Sequence, residues 1–166
     1  MMKMNEEHKA FREMLCRCER TVFKVCYMFT DRTPENVKDM YQDILYALWE
    51  SWPLFRHESD VNTWVYRIAL NTALAQTRRR TASPELVPID SKMCETLAEE
   101  ARNETVEQLY RLVDRLDNDE KSLLLLYLDR VPAREAGMAL GISEAAFRKR
   151  ISRIKKKMIK LYADEK

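Results

Sequence analysis

The residues of this 166-residue chain that are best suited to binding another molecule are basic, and they form two separate blocks. The first block, residues 61–80, contains four arginines and no acidic residue, and the second, residues 143–160, contains eight basic residues and one acid. Residues 31–60 and 81–130 are net acidic, so the whole chain carries a net charge of only +2. Two basic blocks in acidic surroundings indicate two contacts with a polyanion, whereas either block alone is equally well explained as a solvated helix face.

The composition disfavours other kinds of site. Only two glycines occur, too few for the phosphate-binding loops of Rossmann and P-loop folds. The spacing of Cys16-x-Cys18 is wrong for zinc, and we expect the four cysteines to be small thiols, buried or half-buried. No combination of nucleophile, base and orienting group emerges, so we predict no enzymatic activity, no metal site, no cofactor and no small-molecule substrate. No apolar run approaches the roughly 20 residues that span a bilayer, and we expect a cytoplasmic protein.

Apolar residues recur at three- and four-residue steps along nearly the whole sequence, which predicts an all-α fold. This periodicity is lost over residues 81–102, and the loss predicts an irregular linker between two small helical domains, residues 1–80 and 103–166. The three helices predicted in the first domain cover residues 6–29, 34–50 and 61–80.

Two apolar stretches give specific expectations about the core. In the third helix one stripe is expected to face inward, formed by Val61, Trp64, Val65, Ile68 and Thr72. In the second domain the run 123–128 is apolar on every side, as expected of a central buried helix. Residues 117–120 are expected to cap the start of that helix.

Residues 132–157 have the pattern of a helix-turn-helix, with the C-terminal domain ending in its second helix. Gly141 is suited to the left-handed conformation at the end of the first helix, Ile142 can fill the corner below the turn, and Ser143 can cap the second helix. Gly137 departs from the motif, because a larger residue is commoner inside the first helix and a glycine there costs about 1 kcal/mol of helix stability.

The helix after this turn has one apolar face and one polar face. The apolar stripe consists of Phe147, Ile151, Ile154, Met158 and Leu161. The opposite face carries Glu144, Ala145, Arg148, Lys149, Ser152, Lys155 and Lys156. Small and polar residues followed by basic ones suit insertion into the major groove of DNA with flanking phosphate contacts. The alternative is an amphipathic basic helix that only keeps the chain soluble.

Residues 60–80 combine aromatic, amide and guanidinium side chains on one predicted helix. Such groups can stack on unpaired bases and hold the phosphates between them. Trp64 and Tyr66, taken singly, are more often packing residues. The alternative role for the three arginines at positions 78–80 is simply to complement the helix dipole at the C-terminal end.

Three motifs in this order resemble those of a bacterial extracytoplasmic-function sigma factor, the minimal two-domain kind. Residues 39–49 resemble the polymerase-binding helix of that family, residues 64–71 with the following arginines resemble its promoter-melting helix, and residues 116–157 resemble its C-terminal domain. The resemblance covers nearly the whole chain. It implies that residues 1–80 are sigma domain 2, that residues 103–166 are sigma domain 4, and that the chain directs RNA polymerase to promoters.

The resemblance also implies where each partner binds. Asp39, Gln42 and Asp43 would bind the coiled coil of the large clamp subunit of core RNA polymerase, and the two acids, four residues apart, suit basic residues on a partner. The loop from Phe55 to Asp60 would hold a base flipped from the non-template strand of the −10 element. The residues implied at the −10 element are Phe55, Arg56, His57, Asp60, Trp64, Arg67, Asn71, Arg78, Arg79 and Arg80. Those implied at the −35 element are Ser143, Glu144, Ala145, Ala146, Arg148, Lys149, Arg150, Ser152, Arg153 and Lys155, with Arg150, Arg153 and Lys155 on phosphates.

The implied partners are core RNA polymerase and promoter DNA, both double-stranded and locally melted. An anti-sigma factor is a further candidate partner, which could hold the chain at the membrane. Two other interpretations stay open: a free-standing helix-turn-helix transcriptional regulator with a helical N-terminal interaction domain, and a helical protein-interaction module whose basic C-terminal helix is incidental. Only a sigma factor requires Asp39, Gln42 and Asp43 to contact polymerase.

Overall fold

The computed structural model describes residues 2–79 and 103–165, and within these two ranges all regular secondary structure is helical. The seven α-helices in them are α1 (Met2–Phe29), α2 (Pro34–Ser51), α3 (Val61–Arg79), α4 (Glu104–Val113), α5 (Asn118–Leu128), α6 (Ala133–Leu140) and α7 (Glu144–Asp164). None of these helices is both long and apolar enough to cross a membrane. The predicted all-α fold is confirmed, while the predicted linker over residues 81–102 lies outside the described residues.

The described residues form two compact units, one before and one after the gap between residues 79 and 103. The N-terminal unit contains α1, α2 and α3, and the C-terminal unit contains α4 to α7. In the N-terminal unit, α2 begins where predicted, with Thr33 in an extended conformation and Pro34 at the first helical position. It ends at Ser51, where a single 3-10 turn, Trp52–Leu54, replaces the α-helix. Pro53 lies in that turn and cannot supply the backbone N–H that a longer helix needs.

The inner faces of α1 and α2 largely follow the predicted periodicity. The buried residues of α2 are Val37, Met40, Ile44 and Leu48. The buried residues of α1 that follow these three- and four-residue steps are Phe11, Met14, Cys18, Val22, Val25, Cys26 and Phe29. Burial of each large apolar side chain contributes about 1.5–3 kcal/mol to the free energy of folding, so these two faces stabilise the packing of the third helix.

Helix α3 packs against both α1 and α2, so two of its sides are covered. Its most deeply buried residues, each at most 1% exposed, are Val65, Tyr66, Ala69, Leu70 and Ala73. The predicted single stripe is therefore wrong in part, because Val61, Ile68 and Thr72 are only half-buried. A single stripe describes a helix with one neighbour, and α3 has two.

In the C-terminal unit, α5 begins with the predicted cap. The Asp117 carboxylate accepts a hydrogen bond from the backbone N–H of Glu120 at 2.8 Å, and the Glu120 carboxylate accepts one from the N–H of Asp117 at 3.0 Å. Residues 123–126 are buried, but Tyr127 is 39% exposed and Leu128 is 48% exposed. The expectation of burial on every side is thus wrong for these two residues, because they form the last turn of the helix, which lies at the surface.

The cysteines of α1 differ in exposure. Cys18 and Cys26 are buried, whereas Cys16 is exposed, so the expectation of buried or half-buried thiols is wrong for Cys16. Residues two apart on a helix point to nearly opposite sides, and only one of this pair can face the core. Burial, helped by the nearby charge of Asp60, raises the pKa of the Cys18 thiol and keeps it protonated. Cys94 lies outside the described residues.

Candidate nucleic-acid interface

The turn between α6 and α7 has the geometry that the sequence predicts. Gly141 takes the left-handed conformation with φ of 68°, and the next backbone N–H, that of Ile142, donates to the carbonyl of Gly137 at 2.9 Å. The Ser143 hydroxyl accepts a hydrogen bond from the N–H of Ala146 at 3.1 Å and so caps α7. Gly137 is buried beneath this turn, where the backbone leaves no room for a side chain, which explains its departure from the common motif.

The outer face of α7 is clear of the core. Phe147, Ile151 and Ile154 are at most 5% exposed and anchor the inner face, and the predicted stripe continues with half-buried Met158 and Leu161. Of the residues predicted at the −35 element, only Ala146 is half-buried. The exposed ones are Ser143, Glu144, Ala145, Arg148, Lys149, Arg150, Ser152, Arg153 and Lys155.

Two of these exposed cations are held by neighbouring side chains. Arg148 donates to one carboxylate oxygen of Glu144, through Nη2 at 2.7 Å and Nε at 3.1 Å. The Nζ of Lys155 lies 4.2 Å from the centre of the Tyr127 ring. Sequence reasoning did not identify Tyr127 as a residue that supports this face. Contacts between such exposed groups are weak, so both cations are oriented in the free protein and still available to phosphates or bases.

The loop before α3 lies on a cluster of aromatic rings. The ring centre of Phe55 is 4.9 Å from that of Trp64, 5.8 Å from that of Trp52 and 4.4 Å from that of His57. Trp64 is only 8% exposed, so its ring supports Phe55 instead of offering an open face to a base. Arg56 and His57 are exposed, and His57 has a φ of 57°, which is uncommon outside glycine. Sequence reasoning did not include Trp52, because its neighbour Pro53 indicated only a helix end.

The start of α3 is capped by Asp60 and connected to α1. One carboxylate oxygen of Asp60 accepts the backbone N–H of Asn62 at 2.9 Å, and the Asp60 carbonyl accepts that of Trp64 at 3.1 Å. The buried hydroxyl of Thr21 donates to the side-chain oxygen of Asn62 at 2.5 Å. Thr21 and Asn62 are 41 residues apart, and no sequence signal indicated that they meet.

The first basic block lies on the exposed side of α3. Arg67 and Asn71 are exposed one turn apart, and Arg78 and Arg79 are exposed in the last turn of the helix. Arg80, the third residue of the predicted arginine cluster, lies outside the described residues. All four of the described residues can therefore reach a ligand without any change in the core.

The residues predicted to bind polymerase lie on the side of α2 away from its buried Met40 and Ile44. Asp39 and Gln42 are half-buried, and Asp43 is exposed. Asp43 accepts a hydrogen bond from the side-chain amide of Gln76, at 2.7 Å, across to α3.

Between these two helices is an open cleft of about 460 Å³, which we call the α2–α3 cleft. Its lining residues are Asp43, Tyr46, Asn71, Thr72, Ala75, Gln76 and Arg79. The structure thus brings Asp43, predicted to bind polymerase, together with Asn71 and Arg79, predicted to bind DNA. Sequence reasoning had assigned these residues to different partners and had not included Gln76 at all.

Comparison with known protein families gives two matches, one in each unit. Residues 15–83 match the family described as sigma-70 region 2, and residues 106–158 match the family described as sigma-70, region 4. The chain belongs to the sigma-70 family. The two matched regions include the loop from Phe55 to Asp60 before α3, the α2–α3 cleft and the helix-turn-helix.

Two relatives are sigma factors, and the name of the first gives its type. The ECF RNA polymerase sigma factor SigM of Mycobacterium tuberculosis is 24% identical over 158 residues, which cover 92% of this chain and 76% of SigM. The probable RNA polymerase sigma factor RfaY of Xanthomonas campestris pv. campestris is 26% identical over 154 residues, which cover 87% of this chain and 38% of RfaY. This sigma factor is therefore of the extracytoplasmic-function type, which binds core RNA polymerase and directs transcription initiation at promoters.

Two solved structures have a similar fold, and one of them is a sigma factor by its description. RpoE of Bartonella quintana, crystallised with the anti-sigma factor NepR, matches with a TM-score of 0.73 and 17% identity over 95% of this chain and 99% of RpoE. CnrH, in complex with the cytosolic domain of CnrY, matches with a TM-score of 0.70 and 19% identity over 96% of this chain and 91% of CnrH. At these identities the two structures support the fold of this sigma factor.

Proposed function

We propose that residues 1–80 of this sigma factor are domain 2, which binds core polymerase and opens the −10 element, and that residues 103–166 are domain 4, which reads the −35 element. Residues 81–102 would link them. The observation that carries this assignment is that both basic blocks face solvent on helices whose opposite sides are buried: Arg67, Arg78 and Arg79 on α3, and the outer face of α7. Surfaces of this kind bind a polyanion without any rearrangement of the core.

For polymerase we propose the face of α2 formed by Asp39, Gln42 and Asp43. Two acidic residues one turn apart and an amide between them complement basic side chains on a partner helix, and such complementarity also speeds association. The buried side of the same helix, at Met40 and Ile44, has no exposed surface and holds the face in place.

For the −10 element we propose the loop from Phe55 to Asp60 together with the outer side of α3. Phe55 rests on Trp64, so a base turned out of the duplex can pack on a supported aromatic ring beside Arg56 and His57. Trp64 would contribute by supporting Phe55. Arg67, Asn71 and the arginines at the end of α3 would hold the strand and its phosphates.

For the −35 element we propose the outer face of α7. The capped N-terminal turn presents Glu144 and Ala145, and Arg148 lies one turn further on, so that these residues enter the major groove. Arg150, Arg153 and Lys155 lie beyond them along the helix and would bind phosphates, which set position but carry no sequence information.

We further infer that the protein has no catalytic activity of its own and acts in the cytoplasm together with polymerase. RpoE of Bartonella quintana was solved with the anti-sigma factor NepR, and CnrH was solved with the cytosolic domain of CnrY. The similar fold supports the proposal that an anti-sigma factor also binds this chain and covers its DNA-binding faces.

The test is run-off transcription with purified core polymerase on a pool of genomic promoters, with and without the full chain. We expect specific transcripts only with the chain present. The double substitution Asp39→Arg with Asp43→Arg is expected to abolish both these transcripts and the pull-down of core polymerase, since it places cations opposite the basic partner. Glu6→Arg with Glu7→Arg makes the same change of charge on exposed positions of α1 and serves as the control.

The outcomes separate the proposal from the other interpretations. Unchanged pull-down by the Asp39→Arg, Asp43→Arg chain would show that α2 is not the polymerase-binding helix. Promoter binding by the chain alone, with no dependence on polymerase, would favour a free-standing transcriptional regulator.

A further inference from the structure

Gln76 connects the two helices that carry the proposed polymerase and DNA contacts. Its Nε2 donates to Oδ2 of Asp43 at 2.7 Å, across the α2–α3 cleft and 33 residues away in sequence. Its Oε1 is buried, and the structure offers it no hydrogen-bond donor among the described residues. The amide is thus oriented towards Asp43 even though its own oxygen is left unsatisfied, which is unfavourable for a buried acceptor.

The orientation of this amide follows from the contact itself. Turned by 180°, the side chain would place its oxygen 2.7 Å from a carboxylate oxygen, where the two acceptors repel each other. The nitrogen must therefore face Asp43. The carboxylate of Asp43 has a second oxygen and further lone pairs that this bond does not use, and a neutral donor leaves its negative charge intact.

We propose that Gln76 is a positioning residue for the binding of core RNA polymerase: it holds the Asp43 carboxylate at the α2–α3 cleft in the orientation that receives a cationic side chain of the polymerase. This inference rests on the proposed function, in which Asp43 contacts polymerase. Exposed aspartates sample several rotamers, and a side chain that is already oriented loses less entropy when the partner binds.

The chemistry of the cleft favours this role over a role in DNA binding. Asn71 and Arg79 line the same cleft, but the hydrogen bond of Gln76 goes to a carboxylate, and a carboxylate repels phosphate. An arginine or lysine in place of Gln76 would also hold Asp43, but it would neutralise the charge that a cationic partner needs. An uncharged donor is the type of side chain that orients the acid and leaves its charge available.

The experiment measures the dissociation constant of the full chain for purified core polymerase by fluorescence titration. Gln76→Met keeps the length of the side chain and removes the amide, and we expect binding to weaken about 3- to 10-fold, the factor that one net hydrogen bond supplies. Gln76→Arg is expected to weaken binding further while leaving the midpoint of thermal unfolding unchanged or raised. Gln108→Met, a half-buried glutamine of α4 in the other unit, is the control and should bind as the unmodified chain does.

A double-mutant cycle separates positioning from a general effect on the fold. In a chain that already carries Asp43→Ala, Gln76→Met should cause no further loss of affinity, because there is no carboxylate left to orient. Equal losses with and without Asp43 would overturn the proposal. The proposal would also be overturned if the single substitution Asp43→Ala weakened binding while the single substitution Gln76→Met left the dissociation constant unchanged. That result would leave the proposed function standing.

Two further outcomes are decisive. An unchanged dissociation constant for Asp43→Ala would overturn the proposed polymerase contact itself, and the role of Gln76 with it. A defect of Gln76→Met in promoter opening at saturating polymerase, with unchanged affinity for polymerase, would assign the residue to DNA and overturn the proposal. Should Gln76→Met fail to fold, Gln76→Ala repeats the test with a smaller neutral side chain: it also removes the donor and should weaken binding only while Asp43 is present.

Discussion

Gly137 and Ile142 approach so closely in the helix-turn-helix that a Cβ on residue 137 would lie 2.7 Å from the carbonyl oxygen of Ile142. The carbonyl of Gly137 also accepts the N–H of Ile142 at 2.9 Å. The contact is with backbone on both sides, so no side-chain rotation can relieve it. The close approach brings the turn over α6 and thereby sets where α7 begins.

This contact predicts the effect of Gly137→Ala. In an open helix the change would stabilise by up to about 1 kcal/mol, but here the methyl group must displace backbone, and we expect a net loss of about 1–3 kcal/mol in the free energy of unfolding. Urea denaturation measures it. Met138→Ala, at a neighbouring position that is 58% exposed, is the control and should change stability by less than about 0.5 kcal/mol. Equal or greater stability of Gly137→Ala would show that the turn has room for a side chain.

Arg148→Ala is predicted to weaken promoter binding and to relax specificity at one position of the −35 element. A bidentate arginine contact with a base contributes about 1–3 kcal/mol of discrimination. In the free protein Glu144 holds the guanidinium at 2.7 Å and directs it along the outer face of α7. Binding of the polymerase–sigma complex to promoters altered one base pair at a time measures the effect.

The matched comparison for Arg148 is Arg153→Ala, also on the exposed face of α7. We expect Arg153→Ala to weaken binding by a similar factor on every promoter. The slope of log affinity against log salt concentration should also fall in magnitude by about one. Equal loss on all sequences for Arg148→Ala as well would show that Arg148 touches only phosphate.

Glu19 is predicted to make stability depend on pH. Partial burial raises the pKa of its carboxyl above the ordinary 4.5, against the smaller, opposite effect of a hydrogen bond from the Tyr41 hydroxyl. The folded state therefore binds this proton more tightly than the unfolded state, so stability falls as pH rises through the range just above 4.5. Glu19→Gln cannot ionise at this position. Its free energy of unfolding should therefore rise relative to that of the unmodified chain over this range, and the difference should stay constant at higher pH.

Urea unfolding midpoints at a series of pH values from about 4 to 7 measure this difference. Glu13→Gln, on the exposed side of the same helix, is the control. A difference between Glu19→Gln and the unmodified chain that stays the same at every pH would contradict the prediction.

Local features of the site were predictable from sequence because they depend on neighbours in the chain. The left-handed Gly141, the Ser143 cap and the Asp117–Glu120 capping box each involve residues at most three positions apart, and all appear where expected. The inner stripe of α7 was predictable for the same reason, since a helix that packs on one side shows a simple period of three and four residues.

Features that join distant parts of the chain were not predictable. Asp43 meets Gln76, Thr21 meets Asn62, and Lys155 meets Tyr127, each across 28 residues or more. The same holds for burial. The single stripe expected on α3 was too narrow because the helix has two neighbours, and the last turn of α5 is exposed although its sequence is apolar.

The amino-acid sequence by itself determined the helices, their caps, the helix-turn-helix and the resemblance to sigma factors, because these depend on the order and spacing of residues along the chain. Only the tertiary structure decided which side of each helix remains exposed and which side chains share a cleft. The physical reason is that burial and long-range hydrogen bonds are properties of packing between helices, and one helix cannot specify its neighbours through its own periodicity.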